Sequence, residues 1–298
     1  SLGRKMAAAL IAGWCLAALA ADGPRPVKLT TTADHSKFAE LQREFRTPQE
    51  VTKACLACHT EAAGQIQRTK HWTWEYQNPA SGQKLGKKDV INNFCISVAS
   101  NNSGCMSCHI GYGWKDKGFD FAAEENVDCL VCHDTSGIYK KPSGMAGNPV
   151  LKDTEMPPGS GKIIKGIDIV KVAQKVGKTS RDTCGACHFF GGGGDGVKHG
   201  DLDSSLAAPD RDLDVHMDAT GLDFTCATCP KTASHDVAGS RYTPTAMDKG
   251  GAHIRGKDDK SNPATCVSCH DNTPHKQNER LNQHATKVAC QTCHIPTI

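Results

Sequence analysis

The chain has 298 residues, enough for one large or two small domains. Only 38% of them are hydrophobic and 5% aromatic, so the sequence offers little material for a large side-chain core. The net charge is +3 and no basic cluster stands out, which argues against a nucleic-acid-binding protein. Sixteen cysteines are far more than an ordinary domain of this length carries, and they direct attention to bound cofactors or disulfides.

The amino terminus has the pattern of a secretory signal. Arg4 and Lys5 precede an apolar stretch over residues 6–20, which ends in the small-x-small sequence Ala18-Leu19-Ala20. About 15 apolar residues are too few for a membrane span. We therefore predict a signal peptide over residues 1–21, export to the periplasm or the extracellular space, and a single domain over residues 22–298.

Fourteen of the cysteines form seven Cys-x-x-Cys pairs, and a histidine directly follows six of these pairs. The six are CLACH at 55–59, CMSCH at 105–109, CLVCH at 129–133, CGACH at 184–188, CVSCH at 266–270 and CQTCH at 290–294. A disulfide framework or zinc sites would explain the cysteine pairs but would not require the histidine. Covalent haem attachment requires all three residues, because two thiols hold the porphyrin and the histidine binds the iron.

The cofactor predicted from these motifs is haem c, with seven groups attached along the chain. The attachment residues are Cys55, Cys58, Cys105, Cys108, Cys129, Cys132, Cys184, Cys187, Cys226, Cys229, Cys266, Cys269, Cys290 and Cys293. The proximal iron ligands predicted are His59, His109, His133, His188, His270 and His294.

Large apolar macrocycles can replace the missing aromatic side chains as the core. We therefore predict a multihaem cytochrome c fold, mostly irregular with short α-helices around a covalent haem stack and little or no β-sheet. Two spacings of 24 residues, 105 to 129 and 266 to 290, predict two closely coupled haem pairs.

Eight further histidines are candidates for the distal, sixth position of the irons. We expect ligation mostly from His71, His216, His235, His253, His275 and His284, with His35 and His199 as further candidates. Iron with two imidazoles suits electron transfer, whereas iron lacking one can bind a substrate. The number of histidines does not show which haem iron, if any, lacks a second imidazole ligand.

The seventh pair reads CATCP at 226–230, with Pro230 where histidine is expected. Four interpretations compete. The pair has lost its haem and formed a disulfide, the haem remains with a ligand from elsewhere, Lys231 takes the place of the histidine, or Pro230 is a sequence error or a recent mutation. Proline fixes φ where the chain would turn under the iron, which disfavours Lys231. Haem loss would leave a void costing more than the roughly 2–5 kcal/mol of ordinary cavities. We favour a seventh haem on Cys226 and Cys229.

The segments between the motifs resemble one family in particular. They are ADHSKF (33–38), VTKACLACHTEAAGQ (51–65), HWTWEY (71–76), NNFCISV (92–98), CHIGYGWKD (108–116), VDCLVCHD (127–134), GGGGDGVKHGDLDSSL (191–206), LDVHMDATGL (213–222) and HDVAGSRY (235–242). From about residue 33 onward the chain is similar to the octahaem tetrathionate reductases. This resemblance implies a periplasmic reductase of tetrathionate, nitrite and hydroxylamine, whose active haem has a lysine as distal ligand.

Carried onto this chain, the resemblance makes the haem of Cys105, Cys108 and His109 the active one. The lysine would be Lys115, with Lys117 as the rival, and the unpaired Cys95 is a third catalytic candidate. The chain departs from the family in having seven pairs and in ending four residues after its last motif. We expect it to be short at its carboxyl end, so an eighth haem would need residues beyond Ile298.

The leading function is therefore reduction of a small anionic sulfur or nitrogen oxo-compound. A membrane quinol-oxidising cytochrome or a small periplasmic cytochrome would donate the electrons. The alternative is a non-catalytic conduit in which every haem has six ligands and copies assemble end to end. We expect no nucleic-acid partner, and a homo-oligomer remains open.

Overall fold

Short helices separated by long irregular segments make up the described part of the chain. The computed structural model describes residues 33–77, 81–89, 97–191, 193–198, 200–228, 234–235, 237 and 266–294, all within the compact unit 31–298. The α-helices are α1 Pro48–Leu56, α2 Ala62–Gln67, α3 Lys70–Thr73, α4 Asn102–Cys105, α5 Leu130–His133, α6 Ile169–Gln174, α7 Arg181–His188, α8 Cys266–His270, α9 Glu279–Ala285 and α10 Gln291–His294. Single turns of 3-10 helix cover His35–Lys37, Ala39–Leu41, Lys87–Asp89, Val98–Ser100, Met106–Cys108, Glu124–Asn126 and Ser204–Ala207.

Two small antiparallel ribbons are the β-structure of the described residues. In one, β1 (Tyr76–Gln77) pairs with β2 (Lys84–Leu85), with Tyr76 opposite Leu85. In the other, β3 (Thr154–Glu155) pairs with β4 (Ile163–Ile164), with Thr154 opposite Ile164. The predicted fold, mostly irregular with short helices and almost no sheet, is confirmed.

Local sequence signals explain where the longer helices begin. Thr47 caps α1 by accepting from the Glu50 amide, and Pro48 occupies the first helical position, where its missing N–H costs nothing. Ser180 and Thr183 form a reciprocal capping box at the start of α7. These two helices carry the Cys55 and Cys184 attachment pairs, so their caps help to fix the haem-binding residues.

Side-chain packing is concentrated around the first three motifs. One cluster joins α1, α5 and α6 through buried residues that include Val51, Leu130 and Val172. Two further clusters are built on Trp72 and on Trp74 with Trp114. Three of the four tryptophans in the chain thus lie in one region, so aromatic side chains supplement the expected haem core there.

Among the described residues, no helix has the length and apolar character needed to cross a membrane. The predicted signal peptide lies outside the described residues, as do Cys95, His199, Cys229, Pro230, Lys231 and His253.

Candidate haem centres

Most of the attachment motifs end in a short helix. In α5, α7, α8 and α10 the last residue is the motif histidine, and Cys55 lies at the end of α1. Residues three apart lie on the same face of a helix, so the two cysteines within α7 and the two within α8 point to the same side. This geometry presents both thiols to one porphyrin edge.

Five of the six proximal histidines face a second histidine ring. The ring-centre separations are 6.4 Å for His35–His59, 6.1 Å for His71–His188, 6.1 Å for His133–His235, 6.1 Å for His216–His270 and 5.8 Å for His275–His294. Two imidazoles on opposite sides of one metal have ring centres about 6 Å apart, because the metal–nitrogen bond is about 2 Å and the nitrogen lies about 1 Å from the ring centre. The side chains therefore fit haem iron held by two histidines at five motifs.

Hydrogen bonds at several of these rings leave one nitrogen available for iron. Nδ1 of His133 lies 2.7 Å from the Gly177 carbonyl oxygen, and Nδ1 of His188 lies 2.6 Å from that of Gly200. Nδ1 of His235 lies 2.8 Å from Gln65 Oε1. A ring that donates through Nδ1 presents an unprotonated Nε2, and this is the usual second hydrogen bond of a metal-bound histidine.

Buried nitrogens without a partner give a second indication of a missing ligand. Within the described part of the chain, Nδ1 of His35, His71 and His109 is buried and makes no hydrogen bond. Such orphaned atoms are rare in folded proteins and require an explanation. Burial, with a smaller contribution from His188, lowers the pKa of His71 to about 4. The ring is therefore neutral at physiological pH, the form that binds metals.

His109 has a different environment from the other proximal histidines. Its ring is fully buried, and among the described residues its ring neighbours, with centres 4.8–6.3 Å away, are Trp72, Trp74, Trp114, Phe119 and Phe121. Nε2 lies 2.7 Å from the Trp72 carbonyl oxygen while Nδ1 has no partner, so one nitrogen is held and one is available. No described histidine takes the second position at this motif.

Burial is the main cause of the lowered pKa of His109, about 3, with Lys141 adding to the shift and the Trp72 carbonyl opposing it. Gly111 makes the close packing here feasible. A Cβ at that position would lie 2.7 Å from Trp72 Cζ3 and 2.9 Å from the His109 ring. The sequence GYG after the motif thus serves the packing around His109.

A lysine from a distant loop reaches the second attachment pair. Nζ of Lys198 lies 3.3 Å from Cys108 Sγ, and the side chain is only 12% exposed. A Cβ on Gly191 would lie 2.5 Å from this Nζ, so the glycine-rich run makes room for the lysine. Lys198 lies within GGGGDGVKHGDLDSSL, a segment that carries the family resemblance, but it is not among the site residues predicted from the sequence. The chain separation of 90 residues hid its position.

Lys115 and Lys117, which the resemblance favoured, are exposed. They line a surface cavity of about 620 Å³ together with residues 99–104. Lys87 is the second lysine directed toward the Cys105–Cys108 pair. Burial, followed by repulsion from Lys198, lowers its pKa, whereas Cys108, Cys187 and Cys105 act in the opposite direction. Its Nζ lies 4.9 Å from the centre of the Trp74 ring. The structure thus brings Lys198 and Lys87, rather than Lys115, to the second motif.

Thiols of different motifs contact one another. In four pairs the thiols lie close enough for a side-chain hydrogen bond to shift their pKa values: Cys55 with Cys129, Cys108 with Cys187, Cys184 with Cys226, and Cys266 with Cys290. The last contact fits the coupling predicted from the 266–290 spacing. The coupling predicted for the Cys105 and Cys129 sites stays a prediction, and the bridge between Gly111 and Val127 lies between these two motifs. These contacts place the attachment sites next to one another in space.

The CATCP motif is described only up to Thr228. Cys226 forms no disulfide and is hydrogen-bonded to Cys184, which lowers the pKa of Cys226 to about 7 and raises that of Cys184. Cys226 therefore adjoins the Cys184 attachment site, which supports the predicted seventh haem. Of the remaining spare histidines in the described residues, His284 is exposed on α9.

Comparisons with known proteins agree with these sites. Residues 54–134 match the family model for cytochrome c554 and c-prime. The crystal structure of an octahaem cytochrome c from Shewanella oneidensis matches with 43% identity and a TM-score of 0.65 over 89% of this chain. A protein of Archaeoglobus fulgidus with no assigned function is 25% identical over 74% of this chain and 86% of its own length.

The motifs, the histidine pairs and these matches define a multihaem c-type cytochrome, a protein that transfers electrons. Its sequence and structure are similar to those of an octahaem cytochrome c, in agreement with the resemblance read from the sequence. The chain spans 53% of the length of the octahaem cytochrome that it matches.

Proposed function

We propose that this cytochrome reduces a small sulfur or nitrogen oxo-compound, such as tetrathionate, nitrite or hydroxylamine, at the haem of Cys105, Cys108 and His109. The observation that carries the proposal is the contrast between His109 and the other proximal histidines. Five of these face a second imidazole, whereas His109 lies among aromatic rings with Lys198 beside its attachment pair. An iron without a second imidazole is the one that can bind a substrate.

Lys198 takes the part of the distal lysine in this proposal. Its side chain is mostly buried, and Asp201 Oδ1 lies 3.9 Å from Nζ. A neutral amine can bind iron and be displaced by an incoming substrate.

Lys87 supplies a positive charge for an anionic substrate. None of the described carboxylates forms an ion pair with Lys87, whereas its neighbour Lys88 lies 3.1 Å from Glu75 Oε2. An unpaired cation in a partly enclosed site attracts anions and raises their local concentration. Lys87 thus gives the site a positive character suited to tetrathionate or nitrite.

The other attachment sites form a relay to this centre. Thiol contacts link the Cys105 site to the Cys184 site and, through it, to Cys226. Bis-imidazole iron suits electron transfer, so these sites would deliver electrons one at a time. We propose that they come from a membrane quinol-oxidising cytochrome or a small periplasmic cytochrome, which fits the predicted signal peptide and a location outside the cytoplasm.

The test is turnover by the purified, haem-loaded protein with a chemical electron donor. Breaking the central sulfur–sulfur bond of tetrathionate is a two-electron step that yields thiosulfate, so product and donor consumption can be compared directly. We expect oxidation of the reduced protein by at least one of the three substrates. If none of the three substrates oxidises the reduced protein faster than buffer does, the protein acts as an electron conduit. The five histidine pairs alone favour that function.

A further inference from the structure

A buried ion pair between Asp128, at the start of the third motif, and Lys141 lies beside the segment that follows the second motif. Nζ of Lys141 lies 3.0 Å from Oδ2 of Asp128, with side-chain exposures of 2% and 0%. The two segments run antiparallel, since Gly111 and Val127 form an isolated bridge and the Asp128 amide donates to the Ile110 carbonyl at 3.0 Å. The pair thus lies between two attachment sites.

All donors and acceptors of the pair are used. The Lys141 ammonium donates to the carbonyl oxygens of His109 at 2.5 Å and Gly111 at 3.1 Å, as well as to Asp128. Three partners match its three N–H groups. Its charge is therefore held against the backbone of the proximal histidine.

Asp128 is equally well satisfied. Oδ1 accepts from the hydroxyl of Tyr112 at 2.8 Å and from the Val131 amide at 3.0 Å, and Oδ2 accepts from the hydroxyl of Tyr139 at 2.9 Å. Asp128 directly precedes Cys129, and Val131 lies inside the third motif. The negative charge is thus fixed at the third attachment site.

Packing alone does not account for such a pair. Burying two charges costs several kcal/mol each, and well-packed apolar residues often replace a buried ion pair without loss of stability. Buried charges are also screened little by salt, so their fields act strongly on neighbouring groups. An oriented pair between two redox centres sets a difference in electrostatic potential between them.

We propose that Lys141 and Asp128 act as a fixed dipole that makes the haem of His109 easier to reduce than the haem of His133. A positive charge beside His109 stabilises an added electron, and a negative charge beside Cys129 disfavours one. One electron leaving the His133 centre, which becomes ferric, and arriving at the His109 centre, which becomes ferrous, then moves downhill. The bias holds whether the chain reduces a substrate or only conducts electrons.

The experiment is a potentiometric titration of the haem-loaded protein. It is followed by spectra that distinguish the His109 haem from the bis-imidazole haems. Lys141→Met removes the positive charge, and Lys140→Met, at the adjacent exposed position, is its matched control. Asp128→Asn removes the negative charge, with the exposed Asp153→Asn as control. Covalent haem content is measured first, to show that each variant is fully loaded.

We expect Lys141→Met to lower the midpoint potential of the His109 haem, and Asp128→Asn to raise that of one bis-imidazole haem. In each case the equilibrium between the two centres should change at least tenfold, which is about 59 mV for one electron. Loaded variants whose potentials match their controls would overturn the proposal, as would equal shifts at every haem.

If the charge variants fail to load haem, Tyr112→Phe and Tyr139→Phe decide the question. Each removes one hydrogen bond from Asp128 without removing a charge. The less neutralised carboxylate should lower the midpoint potential of one bis-imidazole haem, while the His109 haem stays bound. Unchanged potentials in both variants would contradict the dipole.

Discussion

At the scale of single residues, one lysine distinguishes the His109 centre from the other described motifs. Lys198 reaches Cys108 from a loop 90 residues further along the chain, whereas Lys115 and Lys117 are exposed beside a surface cavity. We assign the ligand role to Lys198 because it contacts the attachment pair, whereas Lys115 and Lys117 are only close to the motif in sequence. Two predictions follow from the lysines of this site.

Lys198→Met should change the ligation of one haem only. The thioether removes the amine ligand, so we expect altered iron spectra at a single centre and at least a tenfold fall in kcat, about 1.4 kcal/mol in the activation free energy. Lys115→Met and Lys117→Met are matched controls on the exposed loop and should resemble the unmodified protein. Equal losses in all three variants would remove the special role of Lys198.

Lys87→Met should discriminate between substrates by their charge. We expect kcat/KM for tetrathionate and nitrite to fall roughly tenfold, because the site loses an attracting cation. Hydroxylamine is neutral near pH 7, so its kcat/KM should change much less. Lys88→Met, one residue away and paired with Glu75, is the control. A uniform loss for all three substrates would show that Lys87 acts on the structure instead.

At the scale of elements, the first and third motifs are tied by one buried side chain. The Thr52 hydroxyl of α1 donates to the Val127 carbonyl at 2.7 Å, and Thr52 is fully buried. The neighbouring thiols of Cys55 and Cys129 are hydrogen-bonded. A helix bearing one attachment pair is thereby fixed against the segment that leads into another.

Thr52→Val should destabilise the protein by about 1–3 kcal/mol, because it leaves the buried Val127 carbonyl without its donor. The measurement is the free energy of unfolding by denaturant for the haem-loaded protein. Thr60→Val makes the same chemical change at an exposed position, where we expect an effect within about 0.5 kcal/mol. If the two variants unfold at the same denaturant concentration, the hydrogen bond does not hold these elements together.

The sequence predicted the local parts of these centres well. The pattern Cys-x-x-Cys-His gives the attachment residues and the proximal ligand within five positions, and caps such as Thr47 and Ser180 mark where the supporting helices begin. Scarce aromatic residues correctly predicted short helices without an extended sheet. These features depend on neighbours in the chain, which a single sequence displays.

Long-range partners could not be read from spacing. His35 pairs with the nearby His59, but His71 pairs with His188, and His133 pairs with His235. Nothing in the sequence around His71 indicates which motif it will face. Lys198 was missed for the same reason, since its contact depends on how a glycine-rich loop folds back on the second motif.

At the scale of the whole molecule, thiol contacts group the described attachment sites into three sets, one of which is Cys266 with Cys290. Thiol contacts join Cys55 to Cys129 and run from Cys108 through Cys187 and Cys184 to Cys226. A chain of close redox centres is what rapid electron transfer through a protein requires. The position of Cys226 in this set is the reason to expect a haem at CATCP.

The haem count follows from that position. We expect the mass of the intact, denatured protein to include seven covalently bound haems, with thioether linkages at Cys226 and Cys229. Pro230→His should leave the count unchanged and should add imidazole ligation at one centre. Six haems with a disulfide between Cys226 and Cys229 would show that this pair has lost its cofactor.

The most direct test of the central claim is near-infrared magnetic circular dichroism of the oxidised, haem-loaded protein. Charge-transfer bands in this region separate bis-imidazole iron from iron bound by histidine and an amine. We predict one centre with histidine–amine ligation, removed by Lys198→Met, beside at least five bis-imidazole centres. A spectrum that contains bis-imidazole bands alone would contradict the assignment of the His109 haem as the catalytic one.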